Sequence, residues 1–553
     1  MRKRTLVLAG SVVAALSIAA VPPGGFAGVF APTGLGFAAP PSTGAAKAGP
    51  MAAAKTVAAP GGFGSLSITQ VGPKRAGGEP SIASGPDGKL FVSYPGSGMN
   101  FFRSSDAGRT WTEGANEADT QSGDTSVNVD STGAVYQSNL NGINLDPDAL
   151  QGVVYKSTDL GDHWTKGGGF VNDSNSTNQP FFVDRQWADA YVPPGKTTGQ
   201  GLVYFTYHDW GPNQIWVNVS TDGGKTFGIP QDVITSPQAQ ADSFCDTIPG
   251  GIKVVQSGPH AGRVYVAWLA ASAPTDEVTG CNVTQLDTFH SVWLAVSDDR
   301  GATWTDRLIF DGGFGHDASG LFADFTLDDQ GNPYVAFADN LSGEWDMYVM
   351  ASFDGGVTWN GRSDGTGVPY KVNADTGTHF FPAIAVGDPG RVDVAYIRTP
   401  AVIPVNPYGK PSPGGGDGDS WYVYMAQSTN VRAGSPTWNV VQAAPGTIHV
   451  GDVCTLGIFC IDSTTGLPLT GANRSLLDFI DIAVDPRGFA HAAYTADRPL
   501  PAGPNGIFCA NQVSGSRCIR PPSRRRRATP PRARTPRRPR SSSARPGWPP
   551  ERR

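Results

Sequence analysis

The chain has few charged residues and lacks the pattern of a long helix. Asp, Glu, Lys and Arg make up 16% of its 553 residues, and no sustained stretch repeats apolar residues at three- and four-residue spacing. Beyond Val21 no apolar run is long enough to span a bilayer, so we predict no membrane span in the mature chain. Glycine (71) and proline (46) are abundant instead. Many short strands joined by tight turns have this composition, and we predict an all-β chain.

Cysteine is also scarce, with six residues in the chain. The spacing of the cysteines and histidines does not match a metal-binding motif, so we predict no metal site and no cofactor. In an exported protein six cysteines indicate disulfides. Six cysteines allow about 15 pairings, and proximity in the sequence favours three of them. These pairs are Cys245–Cys281, Cys454–Cys460 and Cys509–Cys518.

The first residues have the pattern of an export signal. Met1–Arg4 is basic, and the uncharged apolar segment 5–21 follows it. We predict a signal peptide at 1–27 and a secreted protein; a membrane anchor is the alternative. Residues 28–62 are rich in Gly, Ala and Pro, which predicts a flexible spacer.

The last residues differ in composition from everything before them. Residues 520–553 hold 13 of the 42 basic residues and one of the 48 acidic ones, so the rest of the chain is strongly acidic. Such an Arg/Pro-rich tail predicts disorder. It is either an arm that binds polyanions or non-native sequence, such as a reading-frame error. We favour non-native sequence because the tail starts abruptly inside the last repeat, and we predict no nucleic-acid partner.

A short signature, Ser-x-Asp-x-Gly-x-Thr-Trp, recurs along the chain. Asp can accept backbone N–H bonds across such a turn, and Gly supplies a positive φ. We therefore interpret these aspartates as structural, since near-identical turns spread through a repeat protein cannot all be active sites. The five good copies are 104–111, 157–164, 220–227, 297–304 and 352–359, and a degraded copy starts at Ser428.

A pair of predicted strands precedes each hairpin. The copies start at Glu79, Asp124, Asp184, Asp246, Phe322, Phe381 and Phe479. Seven such units, each too small to bury its own faces, predict a seven-bladed β-propeller of four-stranded antiparallel blades over 63–519. Counting hairpins alone gives six blades as the alternative. The strand-like segment 65–71 is expected to close the ring by completing the last blade.

The hairpin signature resembles the Asp-box, or BNR repeat, of bacterial sialidases and their relatives. This resemblance implies a secreted β-propeller that binds or hydrolyses glycans. Sialidases use three arginines to hold the substrate carboxylate, a Tyr nucleophile paired with a Glu, and an Asp acid/base. The first arginine lies in an Arg-Ile-Pro segment, where this chain has Glu79 and Pro80. Because Glu79 would repel a carboxylate, sialidase activity itself is placed in doubt.

A site is expected on the face where the chain enters the first strand and leaves the second strand of each blade. We call this the upper face. A catalytic role is predicted for Asp184, Asp209, Asp246 and, by analogy only, Tyr396. A substrate-binding role is predicted for Glu79, Arg185, Trp187, His208, Trp210, Asp339 and Arg398. For any single one of these residues, a structural role is the alternative.

Three functions remain open from the sequence. The first is a monomeric glycan-binding or glycan-hydrolysing protein, and the second is a non-catalytic propeller that binds an extracellular protein. The third is an extracellular enzyme of another chemistry on the same face. Function depends on sites rather than on folds, so the sequence does not choose between them.

Overall fold

The computed structural model describes residues 55–58, 61–73, 78–97, 99–116, 121–141, 151–168, 183–209, 214–272, 289–313, 316–318, 320–403, 419–455, 473–520 and 547. Contacts divide the chain into a unit that ends at Ile519 and a second unit, Arg520–Arg553. In the first unit the strands form seven antiparallel sheets. Each sheet is one blade of four principal strands, so the predicted seven-bladed β-propeller is confirmed and the six-bladed alternative is wrong.

Blades 1 to 6 use their strands in chain order from the centre outwards. The first strands of blades 1 to 7 are Ser81–Ser84, Gln121–Val129, Val183–Tyr191, Asp246–Val254, Asp324–Leu327, Thr378–Val386 and Asp481–Val484. The second strands are Leu90–Tyr94, Val135–Asn141, Leu202–Asp209, Val264–Ala271, Pro333–Asp339, Val392–Thr399 and Ala490–Ala496. The third strands are Asn100–Ser104, Gln151–Ser157, Gln214–Ser220, Ser291–Ser297, Asp346–Ala351, Ser420–Ser428 and Gly506–Gln512. The outer strands are Thr112–Glu113, Thr165–Lys166, Gln231–Asp232, Thr305–Asp311, Tyr370–Lys371, Asn439–Gln442 and, for blade 7, Ser65–Pro73.

A few small elements complete the described part of the chain. The extra strands are Lys55–Ala58, Gly96–Ser97 and His449–Val450, the one α-helix among the described residues is Pro237–Asp242, and the 3-10 turns are Gly61–Phe63, Thr198–Gln200 and Val431–Ala433. None of the helices in the described ranges is long and apolar enough to cross a membrane.

The core lies between neighbouring blades. Second strands such as Val264–Ala271 are buried at every residue, because both faces of the blade pack against the next one. Outer strands of only two residues, as in Thr112–Glu113, leave little unpaired edge for association with other chains.

Blade 7 is assembled from both ends of the propeller. Its outer strand Ser65–Pro73 pairs antiparallel with the third strand Gly506–Gln512, which confirms the predicted ring closure. Lys55–Ala58 then pairs with Ser65–Ile68 as a fifth strand. The predicted spacer 28–62 therefore includes one paired strand.

The two faces of the propeller differ in the length of their connections. Between first and second strands, five of the seven connections have five residues, as in 85–89 and 485–489. These turns lie on the lower face. Between second and third strands, on the upper face, the connections range from four residues (210–213) to 20 residues (400–419).

The aspartates of the repeated hairpins stabilise their own turns, as predicted. Asp106 accepts bonds from the Arg109 and Thr110 N–H groups at 3.1 and 2.9 Å and from the Thr110 hydroxyl at 2.7 Å. The indole N–H of Trp111 donates to Thr69 of blade 7 at 3.1 Å, which joins adjacent blades. In the degraded copy the amide oxygen of Asn430 takes the place of the carboxylate.

The predicted Cys509–Cys518 disulfide is wrong, because both residues are buried free thiols. Cys509 lies in the third strand of blade 7 and contacts Asn511, whereas the Cys518 thiol donates to Asp393 of blade 6 at 2.8 Å. Cys245 and Cys454 are disulfide-bonded. The partners predicted for them, Cys281 and Cys460, lie outside the described residues, so those two pairings stay predictions.

Candidate functional site

The upper face carries most of the residues predicted for a site. Trp210 lies outside the described residues, and for Asp184 the structure describes only the backbone, in the first strand of blade 3. The other predicted residues fall into three groups. One is at the mouth of the central channel, one is in blades 3 to 5, and one is on blade 6.

Arg185 is the centre of an ion-pair cluster at the upper mouth of the channel. Its guanidinium binds both carboxylate oxygens of Glu79, at 3.1 and 2.7 Å. The same group donates to Asp478 at 2.5 Å and lies 3.5 Å from the Asp124 carboxylate. Arg474 also donates to Asp478. We call these five residues the mouth cluster; it joins blades 1, 2, 3 and 7.

Burial and aromatic contacts hold the mouth cluster in place. The Arg185 side chain is 7% exposed, and its guanidinium lies 4.6 Å from the ring centre of Phe322 and 5.2 Å from that of Phe479. Burial raises the pKa of Asp478 to about 6, even though Arg474 and Arg185 lower it. Burial of Arg185 lowers its pKa, but the charges of the three surrounding carboxylates outweigh this effect and raise the pKa above its ordinary value. A buried, paired guanidinium is poorly placed to hold a substrate carboxylate.

Backbone conformation at the mouth is also unusual. Glu79 has φ 52° and Arg185 has φ 48°, which side-chain-bearing residues adopt only where the surrounding contacts compensate the strain. In blade 3 the strand register shifts between Asp184 and Trp187. This bulge turns Arg185 toward Glu79 and leaves Trp187 half-buried against Phe322, with ring centres 6.3 Å apart.

Beneath the mouth cluster the channel contains a cavity of about 250 Å³. Lys253, Asp324 and Asp481 are among its lining residues. A wider space of about 500 Å³ continues from it to the lower face, past Asp189 and the turns between first and second strands. Trp187, Phe322 and Phe479 line the upper cavity but not the lower one. The larger of the two spaces is therefore the one toward the lower face.

The polar residues predicted in blades 3 and 4 are buried. His208 is 2% exposed, and burial lowers its pKa to about 3, so the imidazole is neutral at physiological pH. Asp209 is 2% exposed and Asp246 is 7% exposed. The carboxylate of Asp246 accepts the adjacent Thr247 N–H at 2.8 Å. The catalytic role of Asp209 and Asp246 and the substrate-binding role of His208 stay predictions.

Asp339, at the end of the second strand of blade 5, is fully buried. Burial, with a smaller contribution from Asp317, raises the pKa of this carboxyl well above its ordinary value. One oxygen accepts the Leu341 N–H at 2.7 Å, and the other has no hydrogen-bond partner among the residues that the structure describes. The half-exposed ring of His316 lies 3.9 Å from the oxygen that accepts the Leu341 N–H.

Blade 6 brings Arg398 and Tyr396 together with three residues to which the sequence analysis gave no site role. Arg398 is paired with Asp375 at 2.6 Å, and Asp375 lies 3.4 Å from the His379 ring. The guanidinium lies 5.6 Å from the ring centre of Tyr424. Tyr424 stacks on Tyr396 with ring centres 5.9 Å apart and planes 9° from parallel. We call these five residues the blade 6 cluster.

Exposure divides the blade 6 cluster into an inner part and an outer part. Tyr396 and His379 are fully buried, and burial raises the pKa of Tyr396 well above 10, which argues against a phenolate nucleophile. Tyr424 is half-exposed, and Asp375 is 39% exposed. Burial raises the pKa of Asp375, but the contacts with His379 and Arg398 outweigh it, so this carboxyl stays ionised. The outer part thus offers an aromatic ring, a cation and an anion.

The missed residues carried a weak signal in the sequence. Tyr422 and Tyr424 alternate with buried Trp421 and Val423 in one strand, which is the pattern of a strand with one accessible face. Asp375 comes three residues before the first strand of blade 6, where the chain enters the upper face. In the part of the chain that the structure describes, no group of His, Cys, Asp and Glu is arranged to hold a metal ion.

No family model matches the chain. Among solved structures, the chain is similar to an ulvan lyase from a new family of polysaccharide lyases, at 13% identity and a TM-score of 0.42, over 82% of this chain and 98% of that one. It is also similar to the Hadza microbial sialidase Hz136, at 16% identity and a TM-score of 0.36, over 58% and 63% of the two chains. A third is the fucose-specific lectin from Aleuria aurantia, at 14% identity and a TM-score of 0.33, over 66% and 96%. Similarities at this level carry no argument about the activity of this chain.

Proposed function

We propose that the protein is an exported glycan-binding propeller that takes its ligand on the upper face, at the blade 6 cluster. The observation that carries this proposal is the half-exposed ring of Tyr424 beside the Arg398–Asp375 ion pair. An aromatic face next to fixed hydrogen-bonding groups is the usual composition of a small-ligand site. Sugars present both an apolar C–H face and hydroxyl groups, so this combination suits them.

Tyr422 extends the same surface. It lies directly opposite Arg398 in the strand pairing and two residues from Tyr424, so both tyrosines point to one side of the blade. Both are half-exposed. Two rings and an ion pair would cover a larger area of sugar than one ring.

Binding without sialidase-type hydrolysis is the version of this proposal that the side chains favour. Sialidases use a Tyr nucleophile, and here Tyr396 is fully buried with a raised pKa. Most other glycoside hydrolases use a protonated carboxyl and an ionised one on either side of the scissile bond. The upper-face carboxyls with raised pKa, Asp339 and Asp478, are buried, at 0% and 3% exposed. The accessible Asp375 is ionised and paired with Arg398.

The test is a binding screen of the full chain against immobilised glycans, run beside a panel of fluorogenic glycosides that includes a sialoside. For any glycan bound, Tyr424→Ala should weaken binding at least about fivefold, since an aromatic contact contributes roughly 1 kcal/mol beyond the area it buries. Arg398→Ala should weaken it by at least as much. The matched control is Tyr370→Ala, which removes a half-exposed tyrosine from the outer strand of blade 5.

Three other outcomes would overturn the proposal in different ways. If the folded chain binds no glycan, the protein-binding alternative takes its place. Equal loss in Tyr424→Ala and Tyr370→Ala would move the site away from blade 6. Turnover of a glycoside would make the protein a hydrolase, and loss of that turnover in Asp209→Asn or Asp246→Asn would return the site to blades 3 and 4.

A further inference from the structure

The central channel contains a lysine without a partner among the described residues. Lys253 belongs to the first strand of blade 4, and it lines both the cavity of about 250 Å³ beneath the mouth cluster and the space of about 500 Å³ below it. Its Nζ forms no hydrogen bond and no ion pair with any residue that the structure describes. The side chain is half-buried, and a charge withdrawn from water in this way is normally paired.

Three carboxyls line the same two spaces from other blades. Asp324 of blade 5 and Asp481 of blade 7 line the upper cavity, and Asp189 of blade 3 lines the lower space. Burial in the channel wall raises the pKa of all three carboxyls, and the charge of Lys253 opposes this effect in each. Lys253 is therefore near enough to change the pKa of each carboxyl, yet it forms an ion pair with none of them. The room between them is available to a ligand.

The two carboxyls of the upper cavity keep the capacity to accept further hydrogen bonds. Asp481 accepts the Ser81 hydroxyl at 3.0 Å and two backbone N–H groups at 2.8 and 2.7 Å. Asp324 accepts the Ile384 N–H at 2.8 Å. A carboxylate can accept about four hydrogen bonds, and both side chains are half-exposed. Each can therefore accept a bond from a donor in the channel.

The upper end of the cavity is aromatic. Trp187, Phe322 and Phe479 line it, and Arg185 of the mouth cluster lies against the two phenyl rings while only 7% of its side chain is exposed. The larger space lies toward the lower face, so we expect a ligand to enter from there. Such a ligand meets Lys253 and the carboxyls first and the aromatic rings at the far end.

The charges of the channel select the class of ligand. A simple anion bound to Lys253 would be repelled by three carboxyls, and a simple cation bound to the carboxyls would be repelled by Lys253. A zwitterion pairs its carboxylate with Lys253 and its ammonium with Asp324 or Asp481, so both of its ends are satisfied. An upper cavity of about 250 Å³ suits a small molecule rather than a polymer. We propose that the channel binds a small zwitterion with an apolar side chain, of the class of a free apolar amino acid, at a site separate from the blade 6 cluster.

Titration calorimetry of the full chain tests this proposal. The probes are L-phenylalanine and two analogues that each keep one of its charged ends, phenethylamine and 3-phenylpropanoate. L-Phenylalanine should bind at least about tenfold more tightly than either analogue, because each analogue leaves a charged group of the site without a partner. Equal affinity for the three compounds would overturn the proposal. So would the absence of binding of L-phenylalanine, L-leucine and L-methionine.

Variants assign the binding to the channel. Lys253→Met keeps a long side chain but removes its charge, so it should weaken binding of L-phenylalanine at least about tenfold and leave phenethylamine bound no more weakly than before. Lys166→Met is the matched control, because Lys166 is exposed on the outer strand of blade 2. The proposal fails if the two variants bind L-phenylalanine equally well. If Lys253→Met does not fold, the comparison of the three compounds on the unmodified chain still decides.

Discussion

Buried charged side chains in this propeller are stabilised by ion pairs with other side chains rather than by hydration, and Arg185 is the clearest case. It sits between two phenyl rings and contacts three carboxylates while only 7% of its side chain is exposed. A buried charge of this kind contributes little net stability when paired, but removing one partner leaves the others uncompensated. The contribution of Arg185 to stability is therefore best measured by replacing it.

We expect Arg185→Met to lower the free energy of unfolding by about 3–5 kcal/mol, because Glu79 and Asp478 lose their shared partner. Chemical denaturation of the full chain measures this loss. Arg263→Met is the control, since Arg263 pairs at 2.7 Å with Asp298, which is 66% exposed, and should cost no more than about 1 kcal/mol. A loss below about 1 kcal/mol in Arg185→Met would contradict a cooperative mouth cluster.

At the scale of elements, neighbouring blades are joined at the channel by aspartates in their first strands. Asp189 in the first strand of blade 3 accepts the Val254 N–H of blade 4 at 2.7 Å. Asp324 joins blade 5 to Ile384 of blade 6 in the same way, at 2.8 Å. A third contact, from Asp481 of blade 7, joins the first strand of blade 1.

These contacts make stability depend on pH in a defined direction. Burial raises the pKa of Asp189 from 3.8 to about 6, so between these values the folded chain binds more protons than the unfolded chain. Its contribution to stability is present below pH 4 and is lost as pH rises through 6. We expect Asp189→Asn, which keeps the acceptor oxygen, to remove this part of the pH dependence.

The measurement is the unfolding free energy of both chains at pH 4, 5, 6 and 7. The difference between Asp189→Asn and the unmodified chain should shift in favour of the variant as pH rises. A constant difference across this range would show that Asp189 has an ordinary pKa in the folded chain. Asp298→Asn, on an exposed carboxylate, is the control.

At the scale of the whole molecule, closure of the ring depends on the strand Ser65–Pro73, which precedes blade 1 in the sequence and completes blade 7. In the outer strand of blade 7, Leu66, Ile68 and Val71 are fully buried. Burial of each such side chain contributes about 2 kcal/mol, so together they approach the total stability of a typical domain, roughly 5–15 kcal/mol.

We expect a chain that starts at Gly78 to lose cooperative unfolding, because blade 7 then lacks its outer strand. A chain that ends at Ile519 should keep its thermal midpoint within about 3 °C, since the unit that contains the seven blades ends at Ile519. Differential scanning calorimetry distinguishes the two. A cooperative transition in the first variant would mean that six complete blades and a three-stranded seventh are sufficient.

Much of this architecture could be predicted from the sequence, and the site could be predicted less well. In repeated turns such as Ser104–Trp111 the hydrogen-bond partners lie within eight consecutive residues, so the role of the Asp can be predicted from the sequence. The pairing of Arg185 with Glu79 and Asp478 joins residues 106 and 293 positions apart, which no local pattern contains. Cys518 was misassigned for the same reason, because its partner Asp393 is distant in sequence.

The connections on the two faces of the propeller differ in how much their length can vary. On the lower face, five of the seven blades join their first and second strands by turns of five residues, which fix the angle between those strands. On the upper face, connections of four to 20 residues leave the same strands in place whatever their length. Foreign loops grafted onto the upper rim should therefore be tolerated, whereas one residue inserted at 485–489 would disturb a blade. The seven blades thus form a scaffold whose upper-face connections can be replaced.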